Sequence, residues 1–379
     1  MRTLRSLEHW LGQRLSLLGP RRRAAHREVR ARALGPEALA ELGRPAALFD
    51  LRGVRLDRDR GRDAHRLVSL FRDAGHVPAF VDRYALVSSL GTTEYKRLLL
   101  DEPFALVGGP DELPPGSLVI ADHGGVSPTP SVRVLRLHHG PGVVDPRQGL
   151  AVPYGPHPLV ARRSRLPDEA ELLSRRRRWR LFFAGNAKIG SYARSDLGAR
   201  FGKLSRVEVL TTLTETLPDE RRRTIDDAAT LAELGRESPF AGFALIDFGS
   251  LYVPEDRWLE TLADAELFLA CPGVRMPTCH NVIEAMSVGT VPLLEHPEHF
   301  HPALRDGVNC LAFDGRAGLK RRLAEALELS PETIAELRRG VLTYHREHLT
   351  AEGFARKLAA APDPLTLHVD GHLTPAARP

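Results

Sequence analysis

Cysteine is almost missing from this chain, with 3 in 379 residues, at positions 271, 279 and 310. No short spacing repeats among them, which excludes a disulfide scaffold and the paired-cysteine pattern of a structural zinc site and suits a reducing cytoplasm. Long apolar runs are missing too. None reaches the roughly 18 residues of a membrane-spanning helix, so only peripheral attachment to a bilayer stays open. A G-x-G-x-x-G fingerprint and a Walker loop are both absent, which removes the usual dehydrogenase and nucleotide hydrolase readings. No Asp-x-Asp closes an expected strand, and that pair is the usual device for holding a divalent ion against a diphosphate. Neither a metal nor a cofactor is expected.

What is present is a globular composition, 42% hydrophobic and 27% charged, long enough for two domains with a core in each. The formal charge is +5 and the pI about 9.3. Basic residues are scattered among acids and fit no nucleic-acid motif, so nucleic acid is not an expected partner. Residues Leu4 to Arg32 stand apart, because Leu7, Trp10, Leu11, Leu15 and Leu18 recur at helical spacing beside Arg21-Arg22-Arg23. Such a helix either packs on its own domain with a solvated charged face or lies on an anionic bilayer. The localisation implied is cytoplasmic, with a peripheral place at the inner face of the membrane as its variant.

Along the chain, a basic helical segment (1–40) precedes apolar runs at 46–51, 76–82, 104–108, 118–122 and 132–137 with an amphipathic helix over 64–74. Strands alternating with helices predict parallel pairing and a Rossmann-like, doubly wound α/β domain over 41–140. Proline and glycine then mark a linker from His138 to Leu166, and a charged helix over 168–178 completes a connecting segment, 141–178. A second α/β domain is expected over 179–360, with strands at 180–184, 207–211, 243–248, 265–270, 291–295 and 309–313. Its helices are expected near 193–201, 219–235, 255–263 and 280–288, followed by C-terminal helices within 318–358. Residues 361–379 read as a loose tail.

The stretch from Cys271 to Glu298 organises the second domain. Leu267 to Ala270 suits a buried strand that Pro272-Gly273 stops; Thr278 can cap a helix bearing Val282, Ile283, Ala285 and Met286, which Gly289 ends. In an open α/β sheet ligands bind beyond the carboxyl ends of strands, beside helix N-termini. Glu284 lies among apolar neighbours on that helix. It is either a solvated helix carboxylate or a bidentate acceptor for two hydroxyls of a ribose or another sugar.

Pro272-Gly273, Glu284-Ala285-Met286 and Gly289-Thr290-Val291-Pro292, with Phe182-Phe183-Ala184-Gly185-Asn186 and Arg194 upstream, together resemble the donor-binding half of GT-B glycosyltransferases, of the exostosin-like and group 1 families. The resemblance covers roughly residues 179 to 350. It implies a GT-B-like pair of Rossmann-like domains facing a cleft, with an acceptor in the first and a nucleotide sugar in the second. Glu284 is then the ribose ligand and basic loop residues face the pyrophosphate. The chain departs from the group 1 pattern at Met276, where a second acid is frequent, and from the exostosin-like pattern at Asn281, where arginine is usual.

On that basis the donor site is expected to comprise Gly185, Asn186, Lys188, Arg194, Gly273, Arg275, Thr278, His280, Asn281 and Glu284. Lys188, Arg194 and Arg275 follow strand ends, where cations can neutralise a departing diphosphate. Asp122-His123-Gly124-Gly125 ends a strand of the first domain, and Asp122, His123 or Asp50 can take a proton from an acceptor hydroxyl, with His138 and His139 as further candidates. His296, His299 and His301, set among Glu295 and Glu298, fit no metal spacing, and a rigid loop is expected. The expected function is metal-independent glycosyl transfer from a nucleotide-sugar donor to a glycan, lipid-linked or other hydroxyl acceptor. The alternatives are a non-catalytic nucleotide-sugar or glycan-binding protein of the same fold, and a sugar-nucleotide epimerase.

Overall fold

The computed structural model describes residues 19–52, 59–129, 131–139, 148–186, 197–274 and 276–369. It divides into two compact units. The first holds the chain up to Val152 and takes it back at Ala351, and the second runs from Pro153 to Thr350. Each is an α/β unit around one parallel, Rossmann-like sheet. No helix among the described residues is long and apolar enough to cross a membrane.

Strands are numbered along the chain. The first unit contains β1 (Ala46–Asp50), β2 (Val77–Val81), β3 (Ala105–Val107), β4 (Leu118–Ala121), β5 (Arg133–His138), β6 (Gly149–Ala151) and β13 (Leu365–His368). They form one sheet in the order β3-β2-β1-β4-β5-β13-β6, every pair parallel. A parallel sheet buries both faces, so its central strands are apolar throughout rather than alternating, and Ala46 to Asp50 are all buried. One face packs large rings. Phe49 meets Phe71 edge-on at 5.8 Å, and Phe71 meets Phe354 at 5.5 Å. Phe71 comes from helix α2 (Arg62–Asp73), which follows α1 (Pro20–Arg32) in the chain, and Phe354 from the helix Ala351–Ala360.

Helix α1 buries Ala25 and Val29 and turns its arginines outward, pairing Arg30 with Asp82 and Arg32 with Asp101 within the unit. This described part of the basic N-terminal helix therefore packs on its own domain; residues 1–18 lie outside the described residues.

Within the expected loose tail, Leu365–His368 instead form the strand β13, inserted between β5 and β6 with Leu365 and Leu367 buried, and residues 370–379 lie outside the described residues. Two alternating leucines are too short a pattern to stand out from coil, and the partners that order them are over 200 residues away in sequence. The expected linker contains β6 and a helix, Pro158–Arg163, with residues 140–147 outside the described set.

The second unit contains β7 (Trp179–Gly185), β8 (Arg222–Thr224), β9 (Phe240–Asp247), β10 (Ala265–Leu269), β11 (Val291–Leu294) and β12 (Leu311–Ala312). Their order is β12-β11-β10-β7-β9-β8, again all parallel. Four of its helices position the site: α3 (Arg206–Thr216), α4 (Glu255–Ala263), α5 (His280–Ser287) and α6 (Pro331–His348). Helix α3 replaces the strand expected over 207–211. Its β-branched residues favour a strand, but Ser205 and Glu208 form a reciprocal capping box that satisfies the first turn of a helix. The helix expected over 219–235 is broken into a short turn, the edge strand β8 and a helix over Ala228–Glu233.

Gly289 ends α5 as expected, at φ 70°, and a Cβ there would stand 2.9 Å from Cγ of Arg338 on α6. Beside Gly289, at the amino ends of the strands, Arg177 is buried and donates to the carbonyls of Val288 at 2.8 Å and Leu172 at 3.2 Å and to Thr290 Oγ1 at 3.3 Å. A buried guanidinium is tolerated there because both of its terminal nitrogens are met by fixed acceptors.

Leu367→Ala should destabilise the first unit by about 2 to 5 kcal/mol, the usual cost of a cavity at a fully buried leucine. Urea denaturation measures it, and a change below about 0.5 kcal/mol, the range of surface substitutions, would return residues 361–369 to the role of a tail.

Candidate functional site

In each sheet the chain leaves its first strand toward one edge and later returns to build on the other side. That reversal lies between β1 and β4 in the first unit and between β7 and β10 in the second. Adjacent loops there depart in opposite directions and leave a crevice at the carboxyl ends, the usual ligand position in open α/β sheets.

In the second unit the two strands end at Gly185-Asn186 and at Ala270-Cys271-Pro272-Gly273. Arg206, the first residue of α3, ties them together. Its Nη1 donates to the Asn186 carbonyl at 3.2 Å and its Nε to the Pro272 carbonyl at 3.3 Å, with the guanidinium 5.6 Å above the Phe183 ring. Gly185 sits close against this arrangement, since a Cβ at 185 would stand 3.2 Å from Cζ of Phe183 and 3.4 Å from the arginine's Nη1. Gly273 is needed for a similar reason: its N–H donates to the Met276 carbonyl at 3.1 Å, and a Cβ there would meet that oxygen at 2.9 Å.

Helix α5 starts one residue later than Thr278 capping predicts. Cys279 occupies the cap position and makes no side-chain cap, while its thiol donates to the Cys271 carbonyl at 3.4 Å and lies against Asn281 Oδ1. Thr278 and Asn281 are buried. Burial pushes the Cys271 thiol up to about 12 and raises that of Cys279, so both stay protonated at neutral pH and act as small packing groups.

Glu284 is the most constrained group of the site. Its residue is 1% exposed, which rules out a solvated helix carboxylate. Oε1 accepts the main-chain N–H of His157 at 2.7 Å, and Oε2 accepts the indole Nε1–H of Trp258, on α4, also at 2.7 Å. His157 presents its ring to that of His280, the first residue of α5, with centroids 5.3 Å apart. The end of β9 adds Phe248, exposed yet edge-on to Trp258 at 5.6 Å. The structure thus gathers Gly185, Asn186, Gly273, Thr278, His280, Asn281 and Glu284 at one end of one sheet. Lys188, Arg194 and Arg275 lie outside the described residues.

Arg206, His157 and Trp258 belong to the site although sequence analysis did not select them. The Ser205–Glu208 capping box was the available signal for Arg206, since it makes residue 206 the start of a helix. Trp258 reads as core from an amphipathic helix, and its polar edge gives no signal of its own. His157 contributes its backbone, which carries none.

The glutamates and histidines after β11 serve packing rather than the strand crevice. Glu295 accepts the N–H groups of Leu204 at 2.7 Å and Gly315 at 2.8 Å, and burial raises its pKa against those bonds. Lys203 donates to the Glu295 carbonyl at 2.7 Å and pairs with Glu298 at 2.8 Å. His296 is buried beside Phe300.

In the first unit Asp50, at the end of β1, and His123, just beyond β4, meet across the crevice. Asp50 Oδ2 lies 3.1 Å from His123 Nε2, and Oδ1 accepts Arg83 Nη2, with both acidic and imidazole side chains nearly buried at 12% and 13% exposure. His123 Nδ1 accepts the Gly125 N–H at 3.0 Å, so the neutral ring carries its proton on Nε2, an atom that is close to Asp50 Oδ2 without being aligned for a hydrogen bond to it. That leaves His123 without a free lone pair in this arrangement. Asp122 is engaged apart from this pair, accepting the Arg52 N–H at 2.8 Å. His138 pairs its ring with His368 of β13 at 5.3 Å.

No family model matches the chain, and no curated protein does. The exostosin-like and group 1 resemblance therefore stands on the motif residues alone. Among solved structures, the chain is similar to an alpha-glucosyltransferase in complex with UDP and a 13-mer DNA, at TM-score 0.40 and 11% identity over 84% of this chain and 98% of that one. It is also similar to AviGT4, a glycosyltransferase involved in avilamycin A biosynthesis, at TM-score 0.39 and 16% identity over 84% and 96%. A glycosyltransferase from Rickettsia africae ESF-5 gives TM-score 0.42 and 9% identity over 83% and 97%.

Burial, with His299 and Lys203 adding to it, lowers the His296 pKa from 6.5 to about 3. The unfolded chain therefore takes up a proton below pH 6.5 that the folded chain refuses until about 3, so the stability is complete above 6.5 and lost as pH falls through that window. Urea midpoints should decline from pH 6.5 toward 4, and His296→Asn should flatten that decline; equal slopes would assign acid sensitivity to other groups.

Proposed function

We propose that this protein is a glycosyltransferase that moves a sugar from a nucleotide-sugar donor to a hydroxyl of a glycan, lipid-linked or other acceptor, without a metal ion. The observation that carries the proposal is Glu284, a buried, oriented carboxylate on the helix that follows the crevice loop. A carboxylate in that position suits a ribose hydroxyl, which it can accept through a charge-assisted O–H···O bond.

The rest of the crevice supports the same chemistry. Cleavage of the bond between sugar and diphosphate leaves negative charge on phosphate oxygens, which the N-terminal N–H groups of α5 and nearby cations can stabilise. Arg206 holds the two loops in register and supplies one fixed positive charge. Lys188, Arg194 and Arg275 are assigned to the same role by their positions in the sequence. In the first unit, Asp50 is our choice for accepting the proton of the acceptor hydroxyl, with Arg83 and His123 orienting it.

A panel of nucleotide sugars, scored for release of the nucleoside diphosphate with and without hydroxyl acceptors, tests the proposal. Turnover with at least one donor is expected, and it should survive excess EDTA; loss that manganese or magnesium restores would sink the metal-free mechanism. Binding without turnover would favour a nucleotide-sugar-binding protein, a reading that the departures at Met276 and Asn281 support. Asp50→Asn should lower kcat by about a hundredfold or more, in the range of lost general base catalysis. An unchanged kcat, with folding verified by a thermal melt, would move the base elsewhere.

A further inference from the structure

Both oxygens of Glu284 already have donors from the chain itself, and the residue is 1% exposed. At that exposure a ribose reaches this carboxylate only where one of the two groups that cover it moves aside. The two are held very differently. Trp258 is buried on α4, edge-on to Phe248, and α4 packs beside α5. The His157 N–H comes from the end of an irregular stretch, 152–157, that belongs to no helix or strand. The helix Pro158–Arg163 that follows is fastened independently, Arg163 pairing with Glu255 at 3.0 Å and Ser164 donating to the Glu255 carbonyl. His157 also caps that helix, its Nδ1 accepting the Leu159 N–H at 3.3 Å and its carbonyl the Ala161 N–H at 2.9 Å, so the shift required is one of the Pro156–His157 peptide, whose N–H precedes both of those acceptors in the chain.

We propose that the main-chain N–H of His157 is a stand-in for a ribose hydroxyl: it occupies one oxygen of Glu284 in the unliganded protein and yields it when a nucleotide binds, while the Trp258 indole stays on the other oxygen as the positioning donor. This rests on the donor role proposed for Glu284. Exchanging one N–H donor for one O–H donor keeps the buried carboxylate satisfied in both states, so the exchange avoids the cost of a bare buried charge. The two imidazoles connect the events, since the His157 ring rests against His280 at the N-terminus of α5, the end proposed to meet the diphosphate. Release of residue 157 would thus free the approach to Glu284 and to the helix end together.

The backbone permits a substitution that deletes only the donor. His157 has φ −60°, close to the angle a proline ring imposes, and His157→Pro removes the N–H together with the ring. His157→Ala removes the ring and keeps the N–H. Titration calorimetry with uridine, guanosine and adenosine diphosphates, on the full chain, compares the two. His157→Pro should bind the preferred diphosphate about ten- to a hundredfold more tightly than His157→Ala, the scale of one hydrogen bond to a charged group that no longer competes. A purely structural contact would not tighten binding when removed. Equal affinities, with Glu284→Ala still weakening binding, would overturn the stand-in and leave the donor role of Glu284 in place. Unchanged binding in Glu284→Ala, or no binding of any diphosphate by the unaltered protein, would overturn both. Should His157→Pro fail to fold, amide exchange in the unaltered protein decides: the His157 N–H should exchange faster at saturating diphosphate, and unchanged or slower exchange rejects the proposal.

Discussion

A parallel sheet covered on both faces confines polar chemistry to the ends of its strands, and this constraint shapes both units. Strands such as Ala46–Asp50 and Trp179–Gly185 are buried nearly throughout, and the charged residues within these two, Asp50 and Arg180, stand at or beside a strand end. Polar groups that face one another gather beyond the carboxyl ends. There the strand order reverses and two neighbouring loops diverge. Asp50 and His123 meet at one such point, and Arg206 bridges the loops at the other.

Burial sets the terms for each charge placed there. An ionised carboxylate removed from water costs several kcal/mol unless fixed donors compensate it. Glu284 and Glu295 show two uses of that rule within one unit. Glu295 takes two backbone N–H groups, one from the loop at Leu204 and one from Gly315 at the start of a helix, and thereby fastens both to the end of β11. Glu284 takes one backbone donor and one indole donor, on the helix that opens at the crevice. A site that must admit a polar ligand can be kept satisfied in this way before the ligand arrives.

Much of this architecture was legible from hydrophobic runs and their stops. Long apolar strands such as β7 and β10, and the helix that Gly289 terminates, declare themselves because burial demands a continuous pattern and a left-handed glycine demands a specific residue. What escaped notice depends on partners distant in sequence. Residues 365–368 become a strand only because β5 and β6 receive them. Residues 206–216 carry strand-favouring side chains, and a local cap decides for the helix. Among candidate site residues, side chains with an obvious chemical excess over their surroundings, such as Glu284 and Asp50, stood out. Trp258 and the His157 backbone did not, since an indole within an apolar stripe and a peptide group look the same whether or not a carboxylate faces them.

The central claim is that the crevice between β7 and β10 receives a nucleotide. Amide chemical shifts of the isotopically labelled protein, followed during addition of a nucleoside diphosphate, locate binding without assuming any turnover. The account predicts saturable shifts concentrated at 185–186, 206, 271–284 and 157. Shifts confined to other surfaces, or none at millimolar nucleotide, would contradict it.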